Sequence, residues 1–268
     1  MKKRMLLSSK SQTTIFIITA VLIISSIALI IYSRTSSKKS ELGREYFINQ
    51  GIEPSIDNIQ NFIVDCLEET SLEALKIIGI QGGYYIEPEI YYNLEWAFIP
   101  YYYYQGQFLM PTNEEVERQL SLFVDDGLSF CLNEINFKTF QLEYSPPSTK
   151  SAIQKNKVTF TTDLSTTIQN EGKTTQFELA KHSIAINSSL YEILEVANYI
   201  TESHKDDKNF ICINCLTEIA KERNLFVDFI AFEEDSTLIM LLENSTAPEP
   251  YIFEFLNKYT INEIGNNN

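Results

Sequence analysis

Histidine is nearly absent from this 268-residue chain, with His182 and His204 its only two, and no second close-spaced pair accompanies Cys212 and Cys215. A closed zinc site needs four such ligands, so the donor set for one is missing. Nine glycines and eight prolines are too few for a collagenous, linker-like or disordered body. The chain has no internal repeat, and G-x-S-x-G, H-E-x-x-H, the P-loop and G-x-G-x-x-G are all lacking. No spacing among the acidic residues fits a calcium loop, and nothing marks two of the many carboxylates as a glycosidase pair. The expectation is a protein that is not an enzyme and uses no metal or other cofactor.

Positive charge is also scarce once the first 40 residues are passed. Those residues hold seven of the 21 Lys and Arg and no acid, leaving 14 basic against 36 acidic residues beyond them. Phosphate backbones and anionic lipid head groups would repel so acidic a body, which excludes nucleic acid as a partner class. Divalent cations and basic protein surfaces suit it better.

What the chain does have is one long apolar run. Residues 15–32 (IFIITAVLIISSIALIIY) carry no charge, glycine or proline. At about 1.5 Å per residue they span roughly 27 Å as a helix, enough to cross a hydrocarbon core. Thr19, Ser25 and Ser26 can return their hydroxyl hydrogen bonds to the helix's own carbonyls. A cleavable secretory signal has a shorter apolar region ending in a small-x-small site, whereas Ile31-Tyr-Ser-Arg34 follows here. The reading is a signal-anchor transmembrane helix. Lys2, Lys3, Arg4 and Lys10 before the span against Arg34, Lys38 and Lys39 after it put the N-terminus in the cytoplasm and the C-terminal domain outside the cell membrane.

Around this span, the basic tail followed by Lys10-Ser11-Gln12-Thr13-Thr14-Ile15-Phe16 resembles the class III signal of archaeal type IV pilins and related membrane-anchored surface proteins. The resemblance covers about 25 residues. It implies peptidase processing between Ser11 and Gln12, and an apolar helix able to pack in a filament core. Ser11 stands where Gly or Ala is usual, and Phe16 where pilins often carry the Glu that meets a neighbouring subunit's new N-terminus.

Beyond a polar linker at residues 33–50, apolar and aromatic residues suffice for a sizeable core. The expected organisation is a cytoplasmic basic tail (1–14), the transmembrane helix (15–32), the linker, a helix-rich aromatic subdomain (51–147) and an α+β subdomain (148–268), with Pro146-Pro147 as the boundary. Ile56, Ile59, Ile63, Cys66, Thr70, Ala74 and Ile77 recur at helical spacing after a Pro54-Ser55 cap. Gly82-Gly83 ends that helix. The aromatic stretch Tyr84 to Met110, broken at Pro88, Pro100 and Gln105-Gly106, predicts strands or a hairpin. Thr112-Asn-Glu-Glu115 forms a capping box for a helix running to about Glu134.

In the second half, Val158, Phe160, Leu164 and Ile168 share even positions. Phe177 and Leu179, then Ile184 and Ile186, alternate less regularly, so a hairpin turning at Asn170-Glu-Gly-Lys173 is predicted. Helices follow at Ser189 to about Ser203 and Ile213 to Arg223. Phe226 to Phe232, Thr237 to Leu242 and Tyr251 to Phe255 then form a meander turning at Glu233-Glu-Asp-Ser236. Segregated runs of helix and strand indicate an α+β ectodomain of helices and antiparallel strands.

Cys66 and Cys131 lie on the apolar stripes of two predicted helices and are expected to staple them in an oxidising compartment. Cys212-Ile-Asn-Cys215 is read as a local cystine, with thiol–disulfide exchange at a helix N-terminus as the alternative. Tyr101, Tyr102, Tyr103 and Tyr104 are either strand residues facing a core or a binding surface for sugar rings or a partner protein. Asn187-Ser-Ser189 and Asn244-Ser-Thr246 fit the glycosylation pattern. The function expected is a membrane-anchored structural or adhesive surface protein that self-associates or meets a surface protein or glycan. An envelope binding module or thiol-redox protein is the alternative.

Overall fold

In this computed structural model the described residues are 56–133, 140–170, 173–206, 212–233, 235–243 and 250–259. The transmembrane run, the Ser11-Gln12 site and Asn244 lie outside them. Among the described residues no helix is long and apolar enough to cross a membrane. The chain divides into two compact units, Met1–Asn58 and Ile59–Asn268, and helix α1 begins at the end of the first.

Helix α1 (Ile56–Ile80) buries Ile59, Ile63, Cys66, Thr70 and Ala74 of the expected stripe, leaves Ile77 half-buried, and adds Phe62, Leu67, Ser71, Leu75 and Ile78. Its end is set by backbone geometry. Gly83 donates its N–H to Ile78 O at 2.8 Å and Gly82 to Gly79 O at 3.1 Å, while Gly82 sits at φ 53°. This is the paired-bond cap that a left-handed residue after the helix permits. A side chain at Gly82 would also meet Glu254 O and the Pro100 ring.

Helix α2 (Asn113–Asn133) starts where the capping box predicts, but only half of that box forms. Thr112 Oγ1 accepts the Glu115 N–H at 3.2 Å, while the Glu115 carboxylate turns to Arg118 and Gln119. The two helices run antiparallel. Cys66 and Cys131 are at disulfide-bonding distance, with Cα atoms 6.4 Å apart, and Thr70 meets Gly127 one turn along. A bond closing so long a loop stabilises a fold by about 2 to 4 kcal/mol.

The larger sheet follows the order β1 (Tyr91–Asn93), β2 (Phe98–Tyr104), β10 (Ile252–Lys258), β9 (Ser236–Glu243), β8 (Leu225–Glu233), with β3 (Gln107–Phe108) also paired to β2. The terminal meander forms as expected. Its last strand pairs parallel with β2, so the sheet is mixed and not purely antiparallel. Both faces carry apolar residues. Tyr102 stacks on Phe255 on one side (ring centroids 4.3 Å), and Ile99, Tyr101, Leu238 and Leu256 cluster together elsewhere in the sheet.

The second sheet is built on β6 (Lys157–Asn170), whose even positions are buried from Val158 to Ile168. Its hairpin partner β7 (Lys173–Asn187) runs along one edge. The other edge carries β4 (Phe140–Tyr144) and β5 (Ser148–Gln154) end to end, separated by Ser145-Pro146-Pro147. Proline cannot donate to the ladder, and Ser145 keeps the register by exchanging hydrogen bonds with Ser165. Helices α3 (Leu190–Asp206) and α4 (Ile213–Glu222) then lead into β8.

Candidate functional site

The aromatic stretch sorts into a buried and an exposed part. Tyr101, Tyr102 and Tyr103 are 5%, 0% and 0% exposed and Tyr104 is half-buried, so the strand-and-core reading describes them and no open row of phenol faces exists there. Tyr102 donates its hydroxyl to Gly82 O at 2.9 Å, and burial keeps its phenol neutral well above the usual range. The exposed large apolar side chains of the stretch are Trp96, the only tryptophan, at 58%, with Ile86 and Phe108 also exposed.

The turn between β1 and β2 explains how Trp96 is presented. Glu95 adopts φ 70°, a left-handed conformation rare for a residue with a side chain. Asn93 Oδ1 accepts the Glu95 N–H at 2.7 Å, and the Leu94 N–H reaches Ala97 O at 2.8 Å. Both bonds fix the loop one residue to either side of Trp96. Edge-to-face packing of Tyr91 on Phe98 (5.5 Å) braces the hairpin, and the Glu87 carboxylate accepting the Tyr91 hydroxyl holds that phenol's pKa up. An exposed indole on a turn with a fixed backbone suits an apolar ring edge bearing hydroxyl or cationic groups.

Gln119 supports this region and has no signal in the sequence, being one polar side chain on the buried stripe of α2. Its Oε1 accepts the N–H groups of both Tyr85 and Ile86 at 2.9 Å, and its Nε2 donates to Glu115. The segment leading to β1 is thereby tied to the helix.

The second candidate is the cysteine pair at the start of α4. Cys212 and Cys215 lie at disulfide-bonding distance, with Cα atoms 5.3 Å apart. Cys212 is the N-cap residue, and its Sγ accepts the Cys215 N–H at 3.3 Å. Cys212 is half-buried, whereas Ile213, Asn214 and Cys215 are exposed, Ile213 at 63%. The helix turns Leu216 and Ala220 inward and leaves its first turn open.

The remaining predicted residues are dispersed. His182 is half-buried on β7 opposite Thr162, and His204 falls in α3 with its side chain outside the described residues. Asn187 is exposed at the end of β7, open to a glycan. Among the described residues no group of three or more His, Cys, Asp or Glu could hold a metal ion. Two carboxylates are unusual. Glu192, 7% exposed near the start of α3, has both oxygens buried without a hydrogen-bond partner. Glu254 lies on β10 opposite Met240, where burial pushes its carboxyl up to about 7. Compared with known proteins, the chain matches no family, no curated protein and no solved structure.

Proposed function

We propose that this chain is a single-pass membrane-anchored surface protein, pilin-like in its N-terminal segment, whose acidic ectodomain serves a structural or adhesive role outside the cytoplasm. The anchor is the apolar run 15–32, and the contact residue is Trp96. The observation that carries the adhesive part is the Trp96 turn: a left-handed Glu95 and the Asn93 side chain hold the sole indole out of the core. A large aromatic kept in water by a constrained backbone is what a contact residue requires. The Cys66 and Cys131 pairing accords with an oxidising location.

Trp96 is its own reporter. When the full-length chain carrying 5-fluorotryptophan in nanodiscs meets envelope fragments, its single fluorine resonance shifts and broadens. Trp96→Ala lowers retention on those fragments by at least about tenfold, the scale of one hot-spot aromatic, while Tyr104→Phe leaves it unchanged. Undiminished retention of Trp96→Ala contradicts the reading.

A further inference from the structure

The two sulfurs at the start of α4 are unequal, and the inequality sets a direction for chemistry. Cys215 is exposed, on the first turn of a ten-residue helix, next to Ile213 and Asn214, which are exposed as well. Cys212 is half-buried and caps the helix, its Sγ already receiving the Cys215 N–H. An incoming thiolate therefore reaches Cys215 more readily. The electron pair released by cleavage falls on the sulfur that has an N–H donor and the positive end of the helix dipole to receive it. Exchange is fastest when the accessible sulfur is attacked and the stabilised one leaves.

We propose that Cys212–Cys215 is a thiol–disulfide exchange site in which Cys215 is attacked and Cys212 leaves, its co-reactant being a protein or small-molecule dithiol. In the first step one thiolate of the dithiol bonds to Cys215 Sγ, the Cys212–Cys215 bond breaks, and its electron pair stays on Cys212 as a thiolate. In the second, the other thiolate of the dithiol attacks its own partner sulfur in the mixed disulfide. That closes the substrate's disulfide and releases the Cys215 thiolate. Cys212 and Cys215 take up the two protons the dithiol has lost, so one dithiol is oxidised and one disulfide reduced. Cys66–Cys131 is less open to attack, since Cys66 is only 4% exposed and Cys131 half-buried, whereas Cys215 is exposed. The exposed Ile213 gives the co-reactant an apolar foothold beside the reacting sulfur.

The test uses the oxidised full-length chain in detergent, with glutathione and then dithiothreitol as probes. After brief exposure to glutathione, acid quenching and alkylation, fragmentation mass spectrometry locates the adduct. The expected result is glutathione on Cys215 with alkylated Cys212, in at least fivefold excess over the reverse species. With dithiothreitol the Cys212–Cys215 bond opens at least tenfold faster than Cys66–Cys131. Ile213→Ser keeps the helix and the pairing, and slows reduction by a dithiol protein such as thioredoxin more than reduction by dithiothreitol. Glutathione mainly on Cys212, or opening of both bonds at one rate, overturns the proposal.

Discussion

The backbone N–H of Thr149 donates to Asp125 Oδ1 at 2.8 Å, joining the first half of β5 to the fourth turn of α2. The contact repeats along both elements. Ser151 N–H donates to Ser121 Oγ at 2.9 Å and Ile153 N–H to Glu117 Oε1 at 2.7 Å. Four helical residues rise about 6.0 Å and two strand residues about 6.6 Å, so side chains at i, i+4 and i+8 keep pace with alternate strand amides. Helix α2 thus covers the edge of β5 that no strand pairs with, protecting it from association with another chain.

Asp125→Ala is expected to destabilise the fold by about 1 to 3 kcal/mol, because it leaves the Thr149 amide without an acceptor. Asp125→Asn keeps an oxygen in place and removes the charge that burial disfavours, so it costs little. Urea unfolding of the detergent-solubilised chain compares the two.

At Gly127 the two long helices lie close enough that a methyl group there would overlap Thr70 Cγ2. Gly127→Ala is predicted to lose about 1 to 3 kcal/mol by overpacking. Adding Thr70→Ser removes the opposing methyl and restores most of the loss. Equal unfolding midpoints for the single and double variants would show that the approach is looser than described.

Stability should fall as pH rises because of Glu254. Its folded carboxyl titrates near 7 against an ordinary 4.5. Its contribution is therefore fully present below about 4.5 and is lost as the pH climbs through 7. The loss is at most about 3.5 kcal/mol at 1.4 kcal/mol per unit. Glu254→Gln flattens that part of the profile, which thermal melts at pH 5 and pH 8 read as a smaller difference than in the parent chain.

Glu192 has both carboxyl oxygens buried with no hydrogen-bond partner among the described residues, so nothing there offsets the cost of taking this polar group out of water. Glu192→Met, similar in volume and apolar, should raise stability by about 1 to 3 kcal/mol. A lower urea midpoint would show instead that the carboxyl group stabilises the fold.

Local pattern carried much of this fold and failed where tertiary contacts decide. The slip from odd to even apolar positions between Leu179 and Ile184 is the trace of a bulge: Thr162 pairs with His182 but Leu164 with Leu179, so β7 carries one extra residue. Strand β5 left no such trace. Ser148-Thr-Lys-Ser-Ala-Ile-Gln154 has little apolar character and is extended because β6 and the side chains of α2 answer its amides. The parallel joining of β2 to β10 spans about 150 residues and was equally silent. In the candidate sites, cysteine spacing pointed to both pairs. The tyrosine run gave no sign of which of its aromatics are exposed, since only the fold separates the buried Tyr102 from the exposed Trp96.

The central claim, an ectodomain held outside the cytoplasm by residues 15–32, is tested most directly by labelling intact host cells with a membrane-impermeant amine reagent. Lys150 and Lys155 are exposed and available to it. The account predicts that peptides bearing these lysines are labelled on intact cells as fully as after lysis, while a cytoplasmic control stays unlabelled. Labelling that appears only after lysis would contradict it.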